Sequence, residues 1–580
     1  MDDRIKEKLA FIYGPETGAE AARKLRELVD RWRHVLPEIP GPPSGGLPAD
    51  ETDAWMITYG DSIRTGDDAP LAVLADFAKR RLAGAVSGIH VLPFSPYSSD
   101  DGFSVMDYRQ VNPALGTWDE LTALAGDFRL MADLVLNHCS AQGPWFRAFL
   151  RDEEPYKDYF ITVEDGTDLS AVFRPRALPL LHEFETASGP KNVWTTFSAD
   201  QVDLNFADPR VFLEFADILL DYVNRGVRIV RLDAIGFLWK EIGTSCMHHP
   251  KTHAMVQLFR LLLAETAPGA ILITETNVPH KENISYFGDG TDEAHMVYQF
   301  SLPPLTMDAF IRGDASKLSA WAAGLPDPDP EYSFFNFLAS HDGVGVLPAR
   351  GYLDQAEIDN LIAEVKRRGG LVSYKSTPQG DIPYELNVSW RDAVAEPELN
   401  DADRAAKFLA SQAVMLVLAG VPGIYVHSIL GSGNWAAGPK ETGMNRSINR
   451  EKLGLAALEA ELDDPGSLRG RIFSGYAKLL AARRSNPAFH PASAQEILDM
   501  GPGVFALRRT PPWKDRGVTC LQSVSAAPQT VPCPDCLADK AACDDLSDLI
   551  TGRDVALEDC EDGRPGIRLA PWEVLWLSEG

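Results

Sequence analysis

Three carboxylates stand at the ends of short apolar runs. Asp233 closes Gly226-Val227-Arg228-Ile229-Val230-Arg231-Leu232-Asp233, Glu275 closes Ile271-Leu272-Ile273-Thr274-Glu275, and Asp342 closes the run that begins at Phe334. Short apolar runs bounded by polar residues read as buried strands. In a barrel of parallel strands such ends converge on one face and build the active site. Two carboxylates flanking one bond are what glycoside chemistry needs: one protonates the leaving oxygen, and the other attacks or stabilises the sugar cation. The pattern points to an enzyme acting on a sugar acetal. A single strand-end Asp or Glu is more often a helix cap or an ion-pair member, and only the joint order of the three raises them above that background.

The elements that must carry these residues follow from the alternation of strand-like and helical patterns. Candidate strands are 55–59, 88–94, 130–137, 227–233, 271–275, 296–300, 334–340 and 423–427. Eight parallel strands separated by helices predict an α/β protein, a (β/α)8 TIM barrel. One helix is well signalled. Asp208 caps it, Pro209 takes its first position, Phe212, Phe215, Leu219, Tyr222 and Val223 recur at helical spacing, and Gly226 stops it. Two connections on the presumed catalytic face are too long for ordinary loops: a loop-rich insertion after strand three and a long loop after strand seven. The expected organisation is barrel and N-terminal helical extension over 1–138, an inserted domain over 139–198, and the rest of the barrel over 199–502, including the long loop 343–400. A small antiparallel β domain over 503–580 completes it.

The chain has 580 residues, 45% of them hydrophobic, and a formal net charge of −28, so a large core is affordable and nucleic acid and anionic membranes are excluded as partners. Met1 to Lys8 is charged and leads into helix-like sequence, which predicts no export signal. The apolar run Ala413 to Val426 is broken by Gly420, Pro422 and Gly423 and is too short to span a bilayer. Cys139 and Cys246 stand alone and suit a reducing cytoplasm. Towards the C-terminus Cys533-Pro534-Asp535-Cys536 precedes Cys543 and Cys560. One CxxC without a second leaves zinc or a reversible disulfide open, with inert thiols as the default reading.

Four ordered motifs make the chain resemble the α-amylase superfamily, glycoside hydrolase family 13: Asp133-Leu134-Val135-Leu136-Asn137-His138, Val230-Arg231-Leu232-Asp233-Ala234, Glu275 at its strand end, and Ser340-His341-Asp342. The resemblance implies Asp233 as nucleophile, Glu275 as general acid/base and Asp342 as transition-state stabiliser, with His138, Arg231 and His341 lining the sugar pocket. Within the superfamily the sequence looks like the sucrose phosphorylase branch. Asp100-Asp101-Gly102-Phe103 resembles its sugar-binding segment, with Asp100 on glucose hydroxyls and Phe103 on the ring. Arg446-Ser447-Ile448-Asn449-Arg450 resembles the segment whose first arginine closes the pocket. The run from Tyr298 to Leu305 is similar to the relatives that phosphorolyse glucosylglycerate, glucosylglycerol or sucrose 6'-phosphate. Sucrose phosphorylase has a histidine two residues beyond the acid/base, where this chain has Asn277.

The resemblance implies a retaining α-glucoside phosphorylase that releases α-glucose 1-phosphate by double displacement. Its partners would be a small sugar substrate and inorganic phosphate, with glucosylglycerate or glucosylglycerol as the favoured donor. Candidate phosphate or acceptor ligands are Arg174, Arg176, Asn277 and Lys375, arginine being suited to forked contact with phosphate oxygens. Asn137 resembles a calcium ligand of true amylases, yet the branch is not known for a calcium requirement, so neither metal nor cofactor is expected. A hydrolase or transglucosylase with the same carboxylates, and a catalytically dead interaction scaffold, are the alternatives. The oligomeric state is not legible.

Overall fold

The computed structural model describes residues 2–43, 45–175, 178–377, 380–513, 516–538, 546–560 and 563–579. Eight strands close a parallel barrel: β1 (Trp55–Thr58), β2 (Gly88–Val91), β3 (Arg129–Val135), β4 (Val227–Asp233), β5 (Ile271–Thr274), β6 (Met296–Tyr298), β7 (Ser333–Phe337) and β8 (Val421–Tyr425). Neighbours in the chain are neighbours in the sheet, and β8 returns to pair with β1. Nearly every barrel residue is buried, because side chains on one face fill the barrel and those on the other meet helices. Where β7 and β8 pair Phe337 with Gly423, a Cβ on Gly423 would lie 2.4 Å from the Phe335 ring, so the aromatic filling of β7 demands glycine there.

The helix Pro209–Asn224 forms where expected, with the Asp208 side chain accepting from Arg210 N at 2.8 Å. It buries Phe212, Phe215 and Leu219 completely, each worth roughly 1.5–3 kcal/mol of transfer free energy, and feeds β4 directly.

Strand ends differ from the sequence expectation in one instructive way. Pairing of β7 stops at Phe337, not Ser340, because the chain beyond it leaves the ladder to be bonded elsewhere. Asn449 Nδ2 donates to Ser340 O at 3.0 Å and Arg450 Nε donates to His341 O at 2.8 Å. The last strand starts at Val421, two residues before the expected Gly423, and residues Val426–Ile429 turn into a short helix.

The segment after β3 holds the antiparallel pair His138–Ser140 with Gln201–Asp203, and a small sheet of Thr162–Val163, Leu181–Thr186 and Gly189–Trp194. The segment after β7 is also structured. It contains the helix Gln355–Arg367 and a hairpin of Leu371–Thr377 with Gly380–Asn387. Near the C-terminus a four-stranded antiparallel sheet is joined by a three-stranded one. Its first strand, Ala494–Leu498, pairs with Val504–Thr510, so the antiparallel sheet begins before residue 503.

Among the described residues no helix is long and apolar enough to cross a membrane. Cys139, Cys246, Cys520, Cys533, Cys536 and Cys560 are free thiols, Cys543 lies outside the described residues, and no described group of three or more His, Cys, Asp or Glu is arranged to hold a metal ion.

Candidate active site

The three carboxylates meet at the C-terminal mouth of the barrel. Asp233 is the last residue of β4, in register with Val135 of β3. Glu275 follows β5 immediately, its N–H bonded to Leu232 O at 3.1 Å. Asp342 lies in the loop after β7, where its N–H donates to Ser340 Oγ at 3.2 Å. All three line one cavity together with Asp100, Phe103, His138, Arg231, His341 and Arg446.

Arg231 organises the centre. Its buried guanidinium donates to Asp233 Oδ1 at 2.8 Å and to Asp133, and Nη2 stands 3.7 Å from Glu275 Oε2. Asp133 accepts in turn from His90 Nε2 at 2.7 Å, so the arginine is fixed from beneath the pocket. Burial pushes the Asp233 carboxyl up to about 8, against the pull of Arg231 and with a further push from Glu275. Burial also raises Glu275, again opposed by Arg231 and helped by Asp342.

Asp342 goes the other way. Burial alone would raise it, but Arg446, aided by His341, Arg450 and Arg231, holds it well below the usual carboxylate range. Arg446 Nη1 lies 2.6 Å from Asp342 Oδ1, while its other edge forks onto Glu385 with contacts of 3.0 and 2.6 Å. Glu385 comes from the hairpin after β7 and also accepts from Gly343 N at 2.9 Å. A half-buried carboxylate and a fully buried one thus share one guanidinium, both supplied by the segment that follows β7.

One wall of the cavity is built from the Asp100–Phe103 turn. Asp100 and Asp101 adopt left-handed backbone conformations (φ 53° and 47°), and a Cβ on Gly102 would fall 2.7 Å from Pro93 O, so the turn needs glycine at its third position. The Phe103 ring stacks on His341 at 5.0 Å, with Arg231 5.7 Å from its centroid. His138 Nε2 donates to Phe103 O at 2.9 Å. Burial lowers His138 to about 4 and His341 to about 3, so both rings are neutral at physiological pH.

On the outer side a second, more apolar cavity shares Glu275, Asn277 and Tyr384 with the first and is closed by Phe173, Pro175 and Leu347. Asn277 packs so closely on the loop after β7 that a Cβ on Gly345 would lie 2.8 Å from its Oδ1, and that oxygen has no partner among the described residues. Arg174 does not line either cavity: it is exposed and donates to Leu178 O. Lys375 sits with its ammonium 4.0 Å above the Phe173 ring. Arg176 lies outside the described residues.

Asn137 is taken up by an internal cation. The buried Lys240 ammonium meets Asn137 Oδ1, Phe237 O and, at 2.5 Å, Asp203 Oδ2. A lysine therefore satisfies the amide oxygen of the residue that resembles a calcium ligand of true amylases.

Several pocket residues escape a reading of the sequence. Gln201 donates to Asp100 Oδ2 at 3.0 Å from a strand only three residues long. Glu385 and Tyr384 belong to a hairpin inside what reads as loop. Their one local signal is the alternation Glu385-Leu386-Asn387, in which a charge takes the place of an apolar residue. Arg450 lies in a segment already singled out, but only the fold shows that it reaches the His341 carbonyl.

Residues 84–323 match the family described as Alpha amylase, catalytic domain. The chain is 57% identical over 578 residues to the glucosylglycerate phosphorylase of Spirochaeta thermophila, covering 99% of this chain and 98% of that one. It is 42% identical over 579 residues to the protein of the same name from Escherichia coli, with all of both chains covered. Its fold is similar to that of sucrose 6F-phosphate phosphorylase from Thermoanaerobacter thermosaccharolyticum, at a TM-score of 0.72, 24% identity and coverage of 90% of this chain and 98% of that one.

Proposed function

The chain belongs to the glycoside phosphorylases of the α-amylase family, and from that premise we infer that it cleaves an α-glucoside of glycerate with phosphate, by double displacement on Asp233. The observation that carries the chemistry is the Arg231 guanidinium, within hydrogen-bond reach of Asp233 and 3.7 Å from Glu275. It brings a nucleophile and an acid to one anomeric centre. Burial and their proximity keep one proton on the pair up to about pH 8, a value that belongs to the two carboxyls jointly, and the shorter guanidinium contact favours the negative charge on Asp233 and the proton on Glu275.

Glu275 then protonates the glycosidic oxygen as the Asp233 carboxylate attacks the anomeric carbon, which expels glycerate and leaves a β-glucosyl ester. Phosphate enters on the face the acceptor vacated, gives its proton to Glu275 and displaces Asp233. Two inversions yield α-glucose 1-phosphate. Asp342, kept ionised by Arg446, stabilises the positive charge that develops on the sugar in both steps. Asp100, His138 and His341 would hold sugar hydroxyls, with Phe103 against the ring. No step calls for a metal or cofactor.

Glycerate is favoured by the full-length likeness to proteins named glucosylglycerate phosphorylase. We also infer a cytoplasmic setting, in keeping with the buried free thiols of Cys139, Cys246 and Cys520. The test is a screen of α-glucose 1-phosphate with glycerate, glycerol, fructose and fructose 6-phosphate, scoring phosphate release. Turnover should be fastest with glycerate. Faster turnover with a fructose acceptor, or release of free glucose at the same rate without any acceptor, would overturn the reading.

A further inference from the structure

Two cations on the acceptor side of the site have no carboxylate partner among the described residues. Both belong to segments beside the outer cavity. Lys375 is on the hairpin strand Leu371–Thr377, two residues beyond Ser373, which is in register with Glu385. The register shifts between Ser373 and Tyr374, so the face that Lys375 takes is fixed by its own contact and not by the alternation of the strand. Its ammonium stands 4.0 Å over the ring of Phe173, a wall of the outer cavity. Arg350 follows the turn Leu347–Ala349, whose Leu347 lines the same cavity. Burial, and then the charge of Arg350, lower the pKa of the Lys375 ammonium. Asn277 lines the cavity floor, with its Oδ1 covered and without a donor among the described residues.

We propose that Lys375 and Arg350 form an anion-binding lip over the acceptor cavity and select an acceptor that carries a carboxylate. The inference rests on the glucosylglycerate reading above and supplies the residues that make that choice. Two like charges over an apolar wall repel one another when the lip is empty, and an anion between them relieves that repulsion. Charge-assisted hydrogen bonds then favour carboxylate over hydroxyl at the same position. Phosphate must enter where glycerate leaves, so both anions use the lip in turn, and glycerate should compete with phosphate in the forward direction.

The test compares glycerate with glycerol as acceptor for glucose from α-glucose 1-phosphate, in the full-length wild type and in Lys375→Gln, Arg350→Gln and Lys375→Arg. The readout is the ratio of kcat/KM for glycerate to that for glycerol, which does not depend on how much of each variant is folded. In both glutamine variants the ratio should fall at least tenfold, mostly through KM for glycerate, and Lys375→Arg should keep the greater part of it. If wild type uses glycerate and neither glutamine variant changes the ratio, the lip is refuted while the functional reading stands. If wild type makes no glucoside of glycerate, both fall.

Discussion

The backbone N–H of Ala234 donates to Glu275 Oε2 at 3.0 Å, so the residue that follows one carboxylate orients the other. Ala234 does this from a left-handed conformation, φ 48°, that costs a non-glycine residue about 1–2 kcal/mol. The strain lies at the join between β4 and the short helix Ile235–Phe237, directly beneath the bond to be broken.

Glycine accepts that conformation and a β-branched residue does not. Ala234→Gly should therefore retain most of kcat. Ala234→Val should lose ten-fold or more, as the N–H turns away from Glu275. Steady-state kinetics on the two variants check this, and equal losses in both would show that backbone geometry is not what matters.

The raised Asp233–Glu275 pair predicts how stability depends on pH. Between the ordinary carboxylate value of 3.8 and about 8, the folded state holds more protons at this pair than the unfolded chain does, so stability falls as pH rises through that window. Asp233→Asn removes the part of the effect that Asp233 carries and leaves the rise that burial imposes on Glu275. Its melting temperature should exceed that of wild type by a margin growing from pH 4 to pH 8, equivalent to roughly 1 kcal/mol or more at the top. Asp342 has the opposite sign: held low by Arg446, it stabilises the fold above 3.8 and that contribution disappears as pH falls below it. Asp342→Asn should melt lower than wild type at pH 7. A margin for Asp233→Asn that is independent of pH would contradict the shared proton.

In the proposed mechanism the same pair carries the acid and the nucleophile. Glu275→Gln should lower kcat for a glucoside of glycerate about 10²–10⁴-fold, the usual worth of a general acid. α-Glucosyl fluoride, whose leaving group needs no proton, should still glucosylate Asp233 in that variant. Fluoride release as slow as the glucoside reaction would place the role of Glu275 elsewhere.

Glu385 holds Arg446 by a forked contact, and Arg446 holds Asp342. Glu385→Gln keeps the shape and removes the charge, leaving Arg446 biased toward Asp342 but less firmly aimed. The expected loss in kcat/KM is about tenfold, with part of it in kcat because Asp342 works in the transition state. A purely structural role would lower the melting temperature and leave the kcat to KM split unchanged.

Lys240 is the internal counter-charge of Asp203. Lys240→Met keeps the stem and strands a buried carboxylate, at a cost of about 3–5 kcal/mol. Thermal melting should register it, and limited proteolysis should cut the segment between β3 and β4 first. A variant that melts like wild type would mean that Asp203 is satisfied without the ammonium.

Much of this site is legible before any coordinates, because barrel strands are buried on both faces and declare themselves as apolar runs, and their ends declare the catalytic face. Asp233, Glu275 and Asp342 each end such a run, and Asp133 to His138 and Arg231 come with them. What stays hidden is whatever depends on contacts between distant segments. Glu385 meets Arg446 across 61 positions, and Arg450 meets Asp101 across 349. No local periodicity encodes such distances, and Lys240 looks like any surface lysine until it is seen buried against Asp203. The chain on its own determined the barrel, the trio of acids and the class of chemistry, since each is written in a few consecutive residues. Only the tertiary structure decided which cations brace those acids and what lines the cavity beside them, since charges in a buried pocket are set by neighbours that folding brings from elsewhere.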